Sequence, residues 1–207
     1  DLVLDTLLTS RIEPGTRLSI DAIARELDVS PTPVREALVL LERTGLVTRE
    51  AHKGYRVAPP IVDEQLEALF DARVVLECGA TKLVANRIDE ALPSLTAALE
   101  EHVRHVQVMR GYRGVGADGG PPTEVLRDYY AADWGFHHAI FEATSNPFLL
   151  DMSVAISSRV HRLRQRMATG ISDEDEAIAE HQEILAAFSR GPEQAAQAML
   201  DHIEKVR

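Results

Sequence analysis

Cysteine, tryptophan and aromatic residues are scarce in this chain of 207 residues: it has one Cys, one Trp and 5% aromatics. A single thiol, Cys78, excludes an intrachain disulfide, and its apolar helical setting predicts a buried, inert side chain. No apolar run approaches the eighteen or so residues that a membrane span needs, and no secretory leader is visible. The expectation is a cytoplasmic protein with no membrane partner. Basic residues are also in deficit. With 22 Lys and Arg against 33 Asp and Glu, the formal net charge is −11, which at first sight argues against a polyanionic partner. The deficit is uneven, however. Residues 1–60 hold nine acidic and eight basic side chains, whereas residues 61–207 hold 24 and 14. A near-neutral module of residues 1–60 is therefore joined at Pro59-Pro60 to a strongly acidic module of residues 61–207, and both have the size of independent domains.

The near-neutral module contains a sharply sorted helix, V-S-P-T-P-V-R-E-A-L-V-L-L over residues 29–41. Ser30 can cap it, and Pro31 and Pro33 fall in the first turn, where a missing N–H costs little. Val34, Ala37, Leu38 and Leu41 recur at helical spacing as a buried stripe, leaving Thr32 and Arg35 on the opposite polar surface. Upstream, residues 19–27 form a short amphipathic helix through Ile20, Ile23, Ala24 and Leu27, followed by the turn Asp28-Val29-Ser30. That is helix-turn-helix spacing, in which Thr32 and Arg35 occupy the positions that meet bases and phosphates. Downstream, Gly45 is a C-cap, and residues 46–50 and 55–57 read as two strands with a hairpin tip at residues 51–54. A first helix over residues 2–12, with Val3, Leu7 and Leu8 inward, and a turn at Pro14 and Gly15 complete a winged helix-turn-helix.

From Ile61 onward the periodicity is helical. One long helix carries Leu66, Leu69, Phe70, Val74, Leu76, Leu83 and Val84, and a second carries Leu92, Leu95, Leu99, Val103 and Val106. The stretch G-Y-R-G-V-G-A-D-G-G-P-P over residues 111–122 is a loop, without the G-K-[ST] ending of a phosphate cradle. Four further helices follow, over residues 124–143, 147–167, 172–189 and 192–207. The fold class is thus mainly α: an N-terminal winged helix-turn-helix and a C-terminal antiparallel α-helical bundle.

Within the bundle, Asp133 and His137 lie one turn apart on one helix, while His181 and His202 fall on the apolar sides of the last two helices. Three histidines and a carboxylate from three helices can hold a divalent ion, or can be hydrogen-bonded core residues. The residues alone leave both readings open. The other histidines read as surface: His52 at the wing tip, His102 and His105 on a polar stripe with Glu101, and His138 turned away from His137. His161 lies in an arginine-rich run with Arg162 and Arg166 that reads as a solvated or interface face.

These motifs resemble the GntR transcriptional regulators, and among them the FadR-like subfamily with the all-helical FCD effector domain. The resemblance rests on P-G-x-x-L from Pro14, V-S-x-T-P-V-R-E-A-L from Val29, L-x-x-x-G-L-V from Leu41 and K-G-Y from Lys53. It implies DNA contacts by Thr32 and Arg35, wing contacts by Lys53 and Gly54, and phosphate contacts by Arg43 and Arg49. Pro31 departs from the pattern, since many members carry a DNA-contacting Arg there. The resemblance further implies a homodimer on a palindromic operator, and repression released by an effector. The FCD pattern D-x-x-x-H, followed by single histidines on the last two long helices, is matched by Asp133, His137, His181 and His202. These become ligands of a divalent transition metal, Zn²⁺ foremost, with Ni²⁺, Co²⁺ and Mn²⁺ suiting the same donors. Arg73, with Glu77 four residues on, is then the residue expected to meet a small anionic metabolite, a carboxylate, bound at the metal. Two other readings remain: a metal-free regulator responding to an acyl ligand, and a metal-dependent hydrolase fused to a DNA-binding head. The matched ligand set argues against the first. Against the second stands the want of a further base in a recognisable position, so the expectation is a regulator and not an enzyme.

Overall fold

The computed structural model describes residues 13–43, 45, 47–50, 53–59, 61–112, 121–166 and 174–207. The helix expected over residues 2–12, Leu46, the wing-tip residues 51–52, Pro60 and most of the glycine-rich loop lie outside the described residues, as do the side chains of Arg43 and of His161, Arg162 and Arg166.

In the amino-terminal unit, helix α1 (Ile20–Glu26) is capped by Ser19, whose hydroxyl accepts a hydrogen bond from the Ala22 N–H at 3.3 Å. Asp28 adopts the left-handed conformation (φ 52°), and the Val29 N–H donates to the Ala24 carbonyl at 2.9 Å. This tight reversal sets the start of helix α2 (Pro31–Arg43). The expected stripe of Val34, Ala37, Leu38 and Leu41 is buried, in one cluster with Leu18, Ile23, Ala24, Val47 and Tyr55. Beyond α2, Gly45 (φ 78°) donates its N–H to the Glu42 carbonyl, as a helix-ending glycine does.

Strands β1 (Arg17–Leu18), β2 (Val47–Glu50) and β3 (Gly54–Val57) form an antiparallel sheet in the order β1-β3-β2. Glu50 pairs with Gly54 and Arg49 with Tyr55, which fixes the wing register. β1 was not expected. Two residues are too short to show an alternation, and the strand exists because Leu18 pairs with Tyr55 and the Gly15 N–H reaches the Val57 carbonyl.

Beyond the sheet the chain runs through α3 (Asp63–Ala85), α4 (Ile88–Arg110), α5 (Thr123–Ala143), α6 (Pro147–Arg166), α7 (Glu174–Ala187), a 3-10 turn over Phe188–Arg190, and α8 (Pro192–Val206). Its main packing pairs are α4 with α5 and α3 with α8; α7 packs on α8 and α4, and α5 on α3. The chain divides into two compact units, one of residues 1–62 and 154–166, the other of residues 63–153 and 167–207. Two leucines expected inward are not. Leu83 is 50% and Leu92 43% exposed, because Ala80 and Val84 on α3, and Ala91 and Leu95 on α4, take the inward lines. No helix among the described residues is long and apolar enough to cross a membrane.

The DNA-head core yields a direct test. Leu38 is fully buried, so Leu38→Ala is expected to cost about 2–5 kcal/mol in chemical denaturation. Leu40, 54% exposed on the same helix, should change stability by no more than about 0.5 kcal/mol when replaced by alanine.

Candidate metal centre and nucleic-acid interface

Helix α5 presents Asp133 and His137 one turn apart, α7 presents His181, and α8 presents His202; all four side chains are buried. The His137 Nε2 lies 3.2 Å from the Nε2 of His181 and 3.3 Å from the Nε2 of His202. Asp133 Oδ1 is 3.9 Å from the His181 Nε2. The four residues singled out in the sequence are thus brought together. Rings hold them in place: Phe136 stacks on His181 at 4.4 Å between centroids, and Trp134 on His137 at 5.4 Å.

The other face of each imidazole has its own partner. His137 Nδ1 is 2.7 Å from Glu77 Oε2, and Glu77 is forked by Arg73, with Nε at 2.7 Å and Nη2 at 3.4 Å. The Arg73 guanidinium lies over the rings of Phe70 and Trp134, at 5.9 and 6.0 Å. His202 Nδ1 is 2.7 Å from Glu180 Oε2, and Glu180 accepts from Lys205 through its other oxygen at 2.9 Å. His181 Nδ1 meets the Nδ1 of His102 at 3.1 Å.

A carboxylate only accepts, so beside Glu77 and Glu180 an imidazole hydrogen sits on Nδ1, and a neutral ring so placed has its bare lone pair on Nε2. In their neutral forms His137 and His202 set two bare lone pairs 3.3 Å apart in a buried site, and a cation between them turns that repulsion into attraction. Two Zn–N bonds of about 2.0–2.1 Å meeting near the tetrahedral angle separate their nitrogens by about 3.3 Å. The donors present therefore fit a divalent ion.

Charge supports the same arrangement. Burial by itself would raise Glu77, but the Arg73 guanidinium and His137 outweigh it and hold the carboxyl at about 2. Burial lowers His137, only partly opposed by Glu77, and pulls His181 well below the usual histidine range. Both rings are therefore neutral, which is the ligating form. Glu180, which burial would raise, is lowered by hydrogen bonds from His202 and Lys205. Cys78 is pushed up to about 11 by burial and then by the Glu77 charge.

His102 corrects the sequence reading. Expected on a polar surface stripe, it is fully buried, with Nε2 3.7 Å from Asp133 Oδ1 and its ring 5.4 Å from that of Tyr129. Steps of four and three along α4, through Leu95, Leu99, His102, Val106 and Met109, carry the signal. The charged neighbours Glu101 and Arg104 obscured it. His105 does face outward, pairing with Glu101 at 2.9 Å. Glu180, next to His181 in the chain, was also missed as a support.

In the amino-terminal unit, Thr32 and Arg35 are exposed on the first turns of α2, opposite the buried stripe. Arg49 is exposed on β2, its guanidinium 5.9 Å from the Tyr55 ring centroid. Lys53 extends from the wing, 3.3 Å from Glu50, and Gly54 (φ 85°) has open space where a side chain would stand. Arg43 ends α2. Arg56 is structural, donating a hydrogen bond to the Gly15 carbonyl at 2.8 Å and ion-pairing with Glu50 at 3.2 Å.

A winged helix-turn-helix head, with an all-helical unit built around a buried His and Asp cluster, defines a DNA-binding transcriptional regulator with a ligand-sensing domain. Residues 68–205 match the FCD domain, and residues 1–57 match the bacterial regulatory proteins of the gntR family. The chain belongs to the GntR family of transcriptional regulators and carries an FCD effector domain. It is 28% identical over 227 residues to the Uxu operon transcriptional regulator of Escherichia coli (strain K12), covering 100% of this chain and 82% of that one. It is 27% identical over 217 residues to the HTH-type transcriptional regulator LutR of Bacillus subtilis (strain 168), covering 94% of this chain and 91% of that one. The solved structure of E. coli McbR/YncC shares the fold, with a TM-score of 0.75 at 21% identity over 100% of this chain and 95% of that one.

The Glu77 pairing predicts an acid-sensitive bundle. A carboxyl held at about 2 instead of the ordinary 4.5 stabilises the fold fully above about pH 4.5, and that contribution is lost as pH falls towards 2. In metal-stripped protein, Glu77→Gln should lose this part of the pH dependence. It should also cost about 3 kcal/mol at pH 7, because Arg73 is left buried without its counter-charge. Denaturation curves at pH 7, 5 and 3 measure both effects.

Proposed function

We propose that this protein is a homodimeric repressor that leaves a palindromic operator when a small carboxylate metabolite binds at a divalent metal held by Asp133, His137, His181 and His202. The observation that carries this reading is the convergence of the three histidine Nε2 atoms, at 3.2 and 3.3 Å from His137, with Asp133 beside them. Zn²⁺ is the first candidate, and Ni²⁺, Co²⁺ and Mn²⁺ suit the same donors. When bound, the ion supplies a Lewis-acidic centre on which a carboxylate can be held.

Charge balance favours an anionic effector. The charges of Arg73 and Glu77 cancel, as do those of Lys205 and Glu180, so a divalent ion with Asp133 carries one net positive charge in a buried site. A monoanion neutralises it. Arg73 forks onto Glu77, so its contribution to effector binding runs through Glu77 and His137. The same pairings favour sensing over turnover. Glu77 and Glu180 each lie between a cation and an imidazole, and neither is placed as a general base.

The division of labour follows residues 1–60 for DNA and 61–207 for sensing and dimerisation. Thr32 and Arg35 enter the major groove, Lys53 and Gly54 follow the wing, and Arg43 and Arg49 meet phosphates. The effector acts by its differential affinity for two arrangements of the paired heads. This is work for the cytoplasm, where the operator is.

Elemental analysis of protein purified without a metal-affinity column should find about one divalent metal per chain, lost in His181→Ala. Co²⁺ titration of stripped protein should quench Trp134, the sole tryptophan, because its ring stacks on His137. A protein that takes up no metal and shows no quenching would sink the metal reading. For the DNA head, Arg35→Ala should weaken binding to the promoter of its own gene by about tenfold or more with the fold intact. Undiminished sequence-specific binding removes Arg35 from the interface.

A further inference from the structure

We infer that His102 is the positioning residue for the third histidine of the cluster, accepting the His181 Nδ1 hydrogen so that the His181 Nε2 faces His137 and His202 as a bare lone pair. The inference rests on the metal reading above.

A neutral imidazole carries one hydrogen, and for His181 its location decides whether the ring can ligate. On Nε2 it would point at the His137 Nε2, 3.2 Å away, and occupy the direction that the ion needs. On Nδ1 it points at the His102 Nδ1, 3.1 Å away. His102 is arranged to receive it. Its Nε2 faces Asp133 Oδ1 at 3.7 Å, which favours its own hydrogen on Nε2 and leaves Nδ1 as the acceptor. Complete burial and the neighbouring Tyr129 ring hold this orientation. His102 therefore stands behind two ligands, within hydrogen-bond distance of His181 through Nδ1 and facing the Asp133 carboxylate across 3.7 Å through Nε2.

Glu77 and Glu180 perform the same task for His137 and His202, each backed by a cation. Only the third support is an imidazole and not a carboxylate. It orients a ligand and adds no negative charge, which preserves the net positive charge of the loaded site.

The test compares three variants with wild type in full-length, metal-stripped protein. His102→Asn keeps an acceptor oxygen where Nδ1 stands, His102→Gln places its amide near Nε2 instead, and His102→Leu fills the space with an apolar group. Zn²⁺ affinity is read by competition with a chromophoric chelator, ligand geometry by the Co²⁺ absorption spectrum, and folding by circular dichroism melts. His102→Asn should stay within about threefold of wild type with an unchanged Co²⁺ spectrum. His102→Gln and His102→Leu should weaken Zn²⁺ by about 10–100-fold and alter the spectrum. Wild-type affinity in folded His102→Leu overturns the inference. So does an equal loss in His102→Asn and His102→Gln, which makes His102 a packing residue or, with Asp133 and His181, a ligand in its own right; this comparison stands even if His102→Leu fails to fold. A wild-type protein that binds neither Zn²⁺ nor Co²⁺ removes the metal reading as well.

Discussion

Crowding of buried imidazole nitrogens is the constraint around which the bundle is arranged. His137 faces two other imidazoles nitrogen to nitrogen in a buried region lined by Phe136 and Trp134. Such a cluster is costly in a low-dielectric interior unless each member is satisfied. The helices meet that demand from behind: α3 supplies Glu77, α4 supplies His102, and α7 supplies Glu180 as well as His181. Every outer contact fixes an Nδ1, and together they turn the Nε2 atoms toward a common point.

The supports are themselves supported. Glu77 stays ionised despite burial because Arg73 forks onto it, and Arg73 is tolerated in the interior because Phe70 and Trp134 cover it. Glu180 and Lys205 repeat the arrangement nearer the surface. The rings of His137 and His202 are thus each located by a chain of contacts reaching two residues back. Local order of this kind lets a site distinguish ligands by geometry and charge together.

Much of this was legible in the chain. The stripe of Val34, Ala37, Leu38 and Leu41 is a simple helical period, and tertiary packing confirmed it without alteration. Asp133 and His137 were readable because a four-residue separation places two side chains on one face whatever surrounds the helix. Bringing His181 and His202 beside them depends on how α7 and α8 are rotated against α5, which no local period encodes. His102 was hidden for a different reason. Glu101, Arg104 and His105 drew it to the polar side, although its spacing from Leu99 and Val106 belonged to the buried line. Leu83 and Leu92 erred the other way, since apolar character alone cannot rank two candidate lines when alanines fill the inner one. β1 could not be read at all, being a product of its partner strand.

The solitary Cys78 bears on which ions such a centre could accept. Burial and the neighbouring Glu77 push its thiol to about 11, so it stays protonated across the physiological range and offers no thiolate. No other sulfur donor of that type exists in the chain. Without a thiolate, the donors that the cluster itself offers are imidazole nitrogen and carboxylate oxygen, a set that suits ions of intermediate hardness better than thiophilic ones.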